Sequence, residues 1–228
     1  MKSLKHFKPG ITLCCGLLLI GAMVSGVSAW DRVGDEERER IAIGFEIAPV
    51  PLNLENKSHD LVGLGSYIVN AHAACNDCHS AVTSTGPTDY AFGGNPYFGQ
   101  QPTKVNPATY MGGGDDFGPL VPGTPHIISR NLTPDKTGLP EGGHTFSEFL
   151  QIMRTGKDFD HLHPSCSATV TTNCLPAPFD GEVLQIMPWP VFQNMTDHEL
   201  RAIYEYLSAI PCVEGPTDPT NRLHNDCP

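Results

Sequence analysis

The sequence predicts an all-α fold in which short helices are connected by long irregular loops. Helical patterns or helix-start signals occur in three places, and no segment has a convincing strand pattern. The 228-residue chain contains 23 glycines and 21 prolines, an excess typical of irregular loops rather than of a regular bundle or a doubly wound sheet. Hydrophobic residues make up 39% of the chain, so it can bury a packed core, and its length suits one domain with appendages.

The three predicted helices have clear signals. A helix is expected over residues 60–74, where apolar residues recur near the 3.6-residue period. Two more begin at capping boxes, in which a threonine and a glutamate satisfy free backbone N–H groups: Thr145 with Glu148, and Thr196 with Glu199. Residues 80–130 have little periodicity and many glycines and prolines. So long a loop is uncommon in a compact domain, so we expect it to need something to fold around.

Residues 1–29 predict a secretory signal peptide. Three lysines precede an apolar stretch from Ile11 to Val24, and Val27–Ala29 fit the small-residue cleavage pattern. The alternative is an uncleaved membrane anchor, because the apolar run approaches the ~20 residues of a spanning helix. Several glycines dilute the run, which favours cleavage. We therefore expect an exported, periplasmic protein, which would be membrane-associated if the leader were retained.

The chain is acidic and divides into unequal segments. Its net charge of −11 becomes −14 if the leader's three lysines are removed. A protein of this charge is unsuited to nucleic acid, whose phosphates require a basic surface, and is suited to a basic protein partner.

We expect a short exposed helix and an extended tether over 30–57, a main domain over 58–211, and a C-terminal extension over 212–228.

The most informative motif is Cys-X-X-Cys-His at Cys75, Cys78 and His79. This spacing is the attachment signal of c-type haem, because two thiols three residues apart reach both vinyl groups of one porphyrin. The histidine then lies under the iron as an axial ligand. A thioredoxin-like pair would require a βαβ context, and a zinc site would require a second ligand pair at matching spacing. Neither is present, so the motif predicts one covalently bound haem c.

Several residues are candidates for the sixth iron ligand. Met187 is favoured because the following prolines bias its loop toward a stiff, extended geometry that can aim a thioether. Met153 fits a helix core face, Met195 fits a hydrophobic staple, and Met111 lies beside three glycines in a loop expected to be floppy. Single histidines remain open as further candidates: His72, His126, His144, His161 and His163.

A series of motifs extends the pattern beyond the haem signal. It runs in order through Gly65–Ala71, Cys75–His79, Ala91–Gly94, Ser129–Gly138, Phe146–Gly156, Met187–Pro190 and Met195–Leu207. The chain thereby resembles a class I cytochrome c, and specifically the single-haem proteins related to cytochrome c subunits of periplasmic alcohol, gluconate and aldehyde dehydrogenases. The resemblance covers about residues 60–211 and implies a small helical cytochrome c domain around one haem.

The resemblance also implies roles for individual residues. It makes His79 and Met187 the axial ligands and brings Gly65 against Tyr204 or Leu207, where the first and last helices cross. It places the carbonyl of Pro87 where it accepts a hydrogen bond from the His79 ring. It further implies that Asn131 and Arg154 reach the haem propionates, for which surface capping is the alternative.

The chain departs from the family in an insertion over 157–186 and in its C-terminal extension. Each contains two cysteines, and the simplest expectation is two local disulfides, Cys166–Cys174 and Cys212–Cys227. Four cysteines allow three pairings, so the other two remain open. The first disulfide lies just before Met187 and would brace its loop.

These features predict an electron-transfer protein rather than an enzyme. With His79 and Met187 on a low-spin iron, the protein would pass single electrons between periplasmic redox partners. One alternative is a five-coordinate haem c enzyme or gas sensor for peroxide or nitric oxide. Another is a fixed electron-transfer subunit of a larger membrane complex.

Overall fold

The computed structural model describes residues 29–80, 82–83, 86–87, 89–215 and 225–228. The predicted signal peptide, 1–29, lies outside them except for Ala29. The described helices are α1 (Ala29–Ile47), α2 (His59–Tyr67), α3 (Cys75–Cys78), the helical turn α4 (Pro140–Gly143), α5 (Phe146–Thr155), α6 (Trp189–Phe192) and α7 (Asp197–Leu207). A π-helical turn, Ile68–His72, continues α2, and a 3-10 turn covers Pro96–Phe98. Among the described helices, none is both long and apolar enough to span a bilayer.

The predicted helices are confirmed, together with the signals that begin them. Both capping boxes form: the hydroxyl of Thr145 accepts from the Glu148 N–H at the start of α5, and Thr196 does the same with Glu199 at the start of α7. The helix expected over 60–74 is present as α2 and its π-helical turn. Local sequence therefore determines where these helices begin.

Helices α2 and α7 cross closely and form the centre of the hydrophobic core. A Cβ placed on Gly65 would overlap the carbonyl of Ala202 and approach the Cβ of Tyr206 to 2.7 Å. The crossing at Gly65 is as expected, but its partners are Ala202 and Tyr206 rather than Tyr204 or Leu207. Glycine is required here because the two backbones are in contact.

Helix α1 packs on the outer side of α2 instead of forming a short exposed helix. Ile41 and Phe45 pack against the core, and a Cβ on Gly44 would overlap the carbonyl of Gly63. The buried hydroxyl of Ser66 donates a 2.6 Å hydrogen bond to the carbonyl of Gly44. An extended segment then leads from α1 to α2, as expected.

Two short antiparallel strand pairs occur in the loops, where no strand was expected. Strand β1 (Val82–Thr83) pairs with β2 (Gly86–Pro87), and β3 (Asp116–Pro119) pairs with β4 (His126–Ile128). The described part is mostly helical with long loops, but the strands mean that a strictly all-α fold is not confirmed. Pairs this short are stabilised by their surroundings, which explains why no strand periodicity marks them in the sequence.

Both disulfides form in the expected pairing. Cys166 is bonded to Cys174 within the insertion, and Cys212 to Cys227 in the C-terminal extension. The second holds Asn225 against the main domain, where its buried amide donates to the carbonyl and the hydroxyl of Thr133 at 3.0 and 2.9 Å. Cys75 and Cys78 are free thiols.

Candidate functional site

A large apolar cleft brings together the four residues of the predicted haem site. Cys75, Cys78, His79 and Met187 all line it, and it encloses about 1280 Å³ of empty space including its mouth. Its walls come from α3, the β3–β4 pair, α5, α7 and the insertion. They are mainly hydrophobic, as in Phe117, Ile128, Phe149, Leu175, Phe192 and Leu207. The cleft suits a large, mostly apolar ligand.

The two cysteines are presented by the single helical turn α3. Ala74 precedes it with a φ of 48°, and this left-handed residue turns the chain sharply between the π-helical turn and α3. Burial raises the pKa of the Cys75 thiol to about 12. The pKa of Cys78 is also raised, by burial and then by Asp115, Asp77 and Asp89. Reactive redox cysteines have lowered pKa values in electropositive surroundings, so this pair is unlike a thioredoxin-type site.

His79 is held with one ring nitrogen available to a metal. Its Nδ1 lies 2.8 Å from the carbonyl oxygen of Arg130. A carbonyl can only accept, so Nδ1 carries the proton and Nε2 has the free lone pair. Burial lowers the pKa of His79, which keeps the ring neutral. The expectation that Pro87 supplies the accepting carbonyl is wrong, because Arg130 supplies it.

Met187 lies in two consecutive tight turns rather than in a stiff extended loop. The N–H of Met187 donates to the carbonyl of Gln185 at 2.7 Å, and that of Trp189 to the carbonyl of Met187 at 2.8 Å. Ile186, the central residue of the first turn, has a φ of 68°, which is a strained conformation for a β-branched residue. Pro188 and Pro190 lie at the start of α6, where proline is compatible with a helix.

The Met187 turn is fixed from behind by Trp189. The indole N–H of Trp189 donates to the carbonyl of Leu184 at 3.1 Å, and the Leu184 N–H donates to Gly156 at 2.7 Å. Gly156 ends α5 with a φ of 72°, and a Cβ there would overlap the indole ring. The glycine therefore allows both the helix end and the close approach of Trp189.

The other candidate ligands differ in position. Met153 and Met195 line the cleft together with Met187, whereas Met111 does not. Met111 is fully buried in the core, with its N–H hydrogen-bonded to Asn76 at 3.2 Å, so the expectation of a floppy position is wrong. Of the candidate histidines, His163 lines the cleft.

The insertion over 157–186 forms one wall of the cleft. Leu162, His163, Leu175, Gly181 and Val183 through Ile186 all line it. The first disulfide braces this wall, because Leu175 follows Cys174 and exchanges backbone hydrogen bonds of 2.8 and 2.9 Å with Cys166 and Pro164. The sequence predicted that this segment departs from the resembled proteins and braces the Met187 loop, and the structure also makes it a wall of the cleft.

Asn131 and Arg154 do not line the cleft. Asn131 is buried, donates to the carbonyl of Val213 at 2.8 Å, and accepts from the N–H and hydroxyl of Thr133 at 2.9 and 2.7 Å. Arg154 binds the carbonyl of Gln193 and pairs with Asp197 at 2.6 Å. Both side chains are thus engaged in structural hydrogen bonds.

A charged cluster that was missed at the level of sequence lies beside His79. The Arg130 guanidinium is largely buried and pairs with Asp158 at 2.9 Å and Asp160 at 2.5 Å. The carboxyl group of Glu141 lies nearby, and Arg130, Asp158 and Glu141 all line the cleft. Arg130 lies in the Ser129–Gly138 motif, but no motif marks its acidic partners, because the cluster comes together from three separate segments.

The surface around Cys78 is acidic and aromatic. We call Asp77, Asp89 and Asp115 the acidic trio; their mutual repulsion contributes to the raised pKa of Asp89, after burial. The adjoining loop contains exposed aromatic side chains: Phe92 is 106% exposed, Tyr97 81% and Phe98 73%. Large aromatic residues exposed together are typical of protein interfaces.

Comparison with known proteins finds similarity to a cytochrome c subunit over part of the chain. Over 107 residues, 46% of its length, the chain is 33% identical to the cytochrome c subunit of a quinone alcohol dehydrogenase from Gluconacetobacter polyoxogenes. The corresponding subunit of Komagataeibacter europaeus matches to the same extent. Over this part of its length, the chain is similar to a cytochrome c subunit. The match spans 17% of each relative's own length, and no protein-family model matches the chain.

Proposed function

We propose that the chain is a mono-haem c-type cytochrome that transfers single electrons between redox proteins. The observation that carries the proposal is the convergence of Cys75, Cys78, His79 and Met187 on one apolar cleft. The resemblance to a cytochrome c subunit supports it independently. When bound, haem supplies the one-electron chemistry of its iron.

The chain's own residues fit a covalently bound haem. Cys75 and Cys78 are free, are three positions apart, and would form the two thioether bonds. The Arg130 carbonyl orients His79 so that Nε2 is the ligating nitrogen, and such contacts also tune the metal. The turns around Ile186 would hold Met187 as the opposite axial ligand. The apolar walls would exclude water and favour the reduced, less charged state.

The cleft also contains unsatisfied polar atoms, which supports the presence of a partly polar ligand. Among the described residues, the Oε2 atom of Glu141 and the Nδ1 atom of His163 are buried without a hydrogen-bond partner. Both residues line the cleft. Haem is apolar across its ring and carries two carboxylates at one edge, so it matches a cleft of this composition.

The partner is a redox protein with a basic docking surface. The acidic trio acts on Cys78, one of the two residues that would hold the haem. Complementary charge would speed association, and salt would slow it. In this proposal residues 1–29 direct export, 58–211 form the haem-carrying unit, and the protein acts in the periplasm.

A fixed subunit of a membrane oxidoreductase is the second candidate. It is favoured by the relatives, which are themselves named as subunits of an alcohol dehydrogenase. Purification from native membranes distinguishes the two. A freely dissociating carrier is recovered alone, whereas a subunit copurifies with a dehydrogenase at constant ratio.

Absorption spectroscopy of the exported protein tests the proposal. We expect a low-spin c-type spectrum, haem that acidified organic solvent does not extract, and the weak ferric charge-transfer band of methionine ligation. Met187→Ala should abolish that band and yield a species that binds carbon monoxide. Met195→Ala, in the same cleft, is the matched control and should retain the band. Extractable or absent haem would refute the proposal, and an unchanged Met187→Ala spectrum would refute the ligand.

A further inference from the structure

Two buried polar atoms of the cleft lack a hydrogen-bond partner. These are Oε2 of Glu141 and Nδ1 of His163, and among the described residues they are the buried side-chain atoms in this condition. An unsatisfied buried polar atom is energetically unfavourable, so each such atom requires an explanation. Both residues line the same cleft although they come from separate loops. Two unpartnered polar atoms in one cleft indicate that its ligand carries a polar group.

The side chains expected to meet that polar group are engaged elsewhere. Asn131 uses its amide on Val213 and Thr133, and Arg154 uses its guanidinium on Gln193 and Asp197. Neither lines the cleft. The haem carboxylates therefore need other partners, and Glu141 and His163 have free hydrogen-bonding atoms there.

The charges that act on Glu141 oppose one another, and burial disfavours its ionised form. Arg130 attracts a negative charge on Glu141, but it is already paired with Asp158 and Asp160, and both of these acids repel a further negative charge. Tyr204, on α7, also senses the charge of Glu141. Burial, opposed by Arg130 and assisted by Asp160 and Asp158, raises the pKa of Glu141 to about 8. At neutral pH the carboxyl group is mainly protonated and can donate a hydrogen bond.

We propose that Glu141 and His163 bind a carboxylate of the haem, and that Glu141 takes up a proton when the protein is reduced. The inference rests on the proposed function. Protonated Glu141 donates through its O–H group, and His163 donates through Nδ1–H. Reduction adds one electron from the redox partner, and a proton from water adds to the Glu141 carboxylate; oxidation reverses both. An added electron raises the proton affinity of a nearby carboxylate, which makes the reduction potential depend on pH.

Reduction potentials measured from pH 6 to 10 on haem-containing protein test the proposal. We expect the wild-type equilibrium constant for reduction to fall by up to tenfold per pH unit, 59 mV for one electron, in a window near pH 8. Glu141→Gln keeps a donor but cannot titrate, so its potential should be constant in that window. Glu55→Gln, the same change at an exposed position, should reproduce the wild-type curve. A Glu141→Gln curve equal to wild type would overturn the proposal.

A second pair of variants tests the histidine. His163→Phe removes the second donor to the carboxylate, so Glu141 should hold its proton more tightly and the window should move to higher pH. His161→Phe is the matched control, because His161 is exposed and does not line the cleft. If His163→Phe and His161→Phe give the same curve, His163 has no part in the site.

Infrared spectroscopy tests the proposal on wild-type protein, so this test does not require that a variant folds. The redox difference spectrum of wild-type protein near pH 8 should contain a protonated carboxyl band that is stronger in the reduced state. The band should shift when the protein is labelled with 13C-glutamate, which separates Glu141 from the haem carboxylates. A haem-containing protein without such a band contradicts this inference alone, whereas a protein without covalent haem contradicts the proposed function.

Discussion

Gly156→Ala should destabilise the protein more than its backbone conformation alone explains. Residue 156 has a φ of 72°, and a side chain in the left-handed region costs about 1–2 kcal/mol. The added Cβ would also overlap the indole ring of Trp189, and forced overpacking costs about 1–3 kcal/mol more. We therefore expect the free energy of unfolding to fall by about 2–5 kcal/mol. Guanidinium unfolding followed by circular dichroism measures this loss.

Gly138→Ala is the matched control for this prediction. Gly138 has a φ of 78°, but a Cβ there has open space around it, so the variant should lose only the backbone cost of about 1–2 kcal/mol. Because Trp189 supports the Met187 turn, Gly156→Ala should also weaken the ferric methionine band, which Gly138→Ala should leave intact. Equal losses of stability in the two variants would refute the importance of the Gly156–Trp189 contact.

Three further predictions concern packing, the insertion and docking. Gly65→Ala should lower the free energy of unfolding by about 1–3 kcal/mol, because the added Cβ overlaps Ala202. Gly34→Ala in α1 is the control: its Cβ meets no such overlap, so in the same denaturation assay the better helix propensity of alanine should raise the free energy of unfolding by about 1 kcal/mol. Replacing both cysteines of the first disulfide by serine should lower the free energy of unfolding by about 2–3 kcal/mol. Because the wall around Leu175 would loosen, carbon monoxide should also bind faster to the reduced protein. An unchanged rate of carbon monoxide binding would exclude a bracing role. Changing the acidic trio to asparagine should slow electron transfer with a basic partner and flatten its salt dependence in stopped-flow measurements, while the same number of changes among the exposed acids of α1 should not.

Much of the helical framework was predictable because its signals are local. The capping boxes at Thr145 and Thr196 each need only four consecutive residues, and both form as expected. The spacing of Cys75 and Cys78 likewise specifies a pair of thiols on one helical turn. The disulfide pairing followed from the simplest closure of small loops.

The polar part of the site was not predictable, because it depends on groups that carry no sequence signal. Every residue has a carbonyl, so nothing in the sequence distinguishes Arg130 from Pro87 as the acceptor for His79. Glu141 is one acid among 25 in the chain, and its burial depends on a left-handed turn with a φ of 54°. The strained backbone at Ile186 was hidden for the same reason, since prolines on one side suggested an extended segment. Long-range packing determines the acceptor for His79, the burial of Glu141 and the backbone conformation of Ile186.

The C-terminal extension has a structural connection to His79, the proposed iron ligand, although its described residues do not line the cleft. The second disulfide fixes Cys212, and the next residue, Val213, accepts a hydrogen bond from Asn131 through its carbonyl. Asn131 directly follows Arg130, whose carbonyl holds the His79 ring. The buried amide of Asn131 is therefore best understood as fixing the direction of the preceding carbonyl. Since that carbonyl selects the proton-bearing nitrogen of His79, the extension contributes to the orientation of this proposed metal ligand.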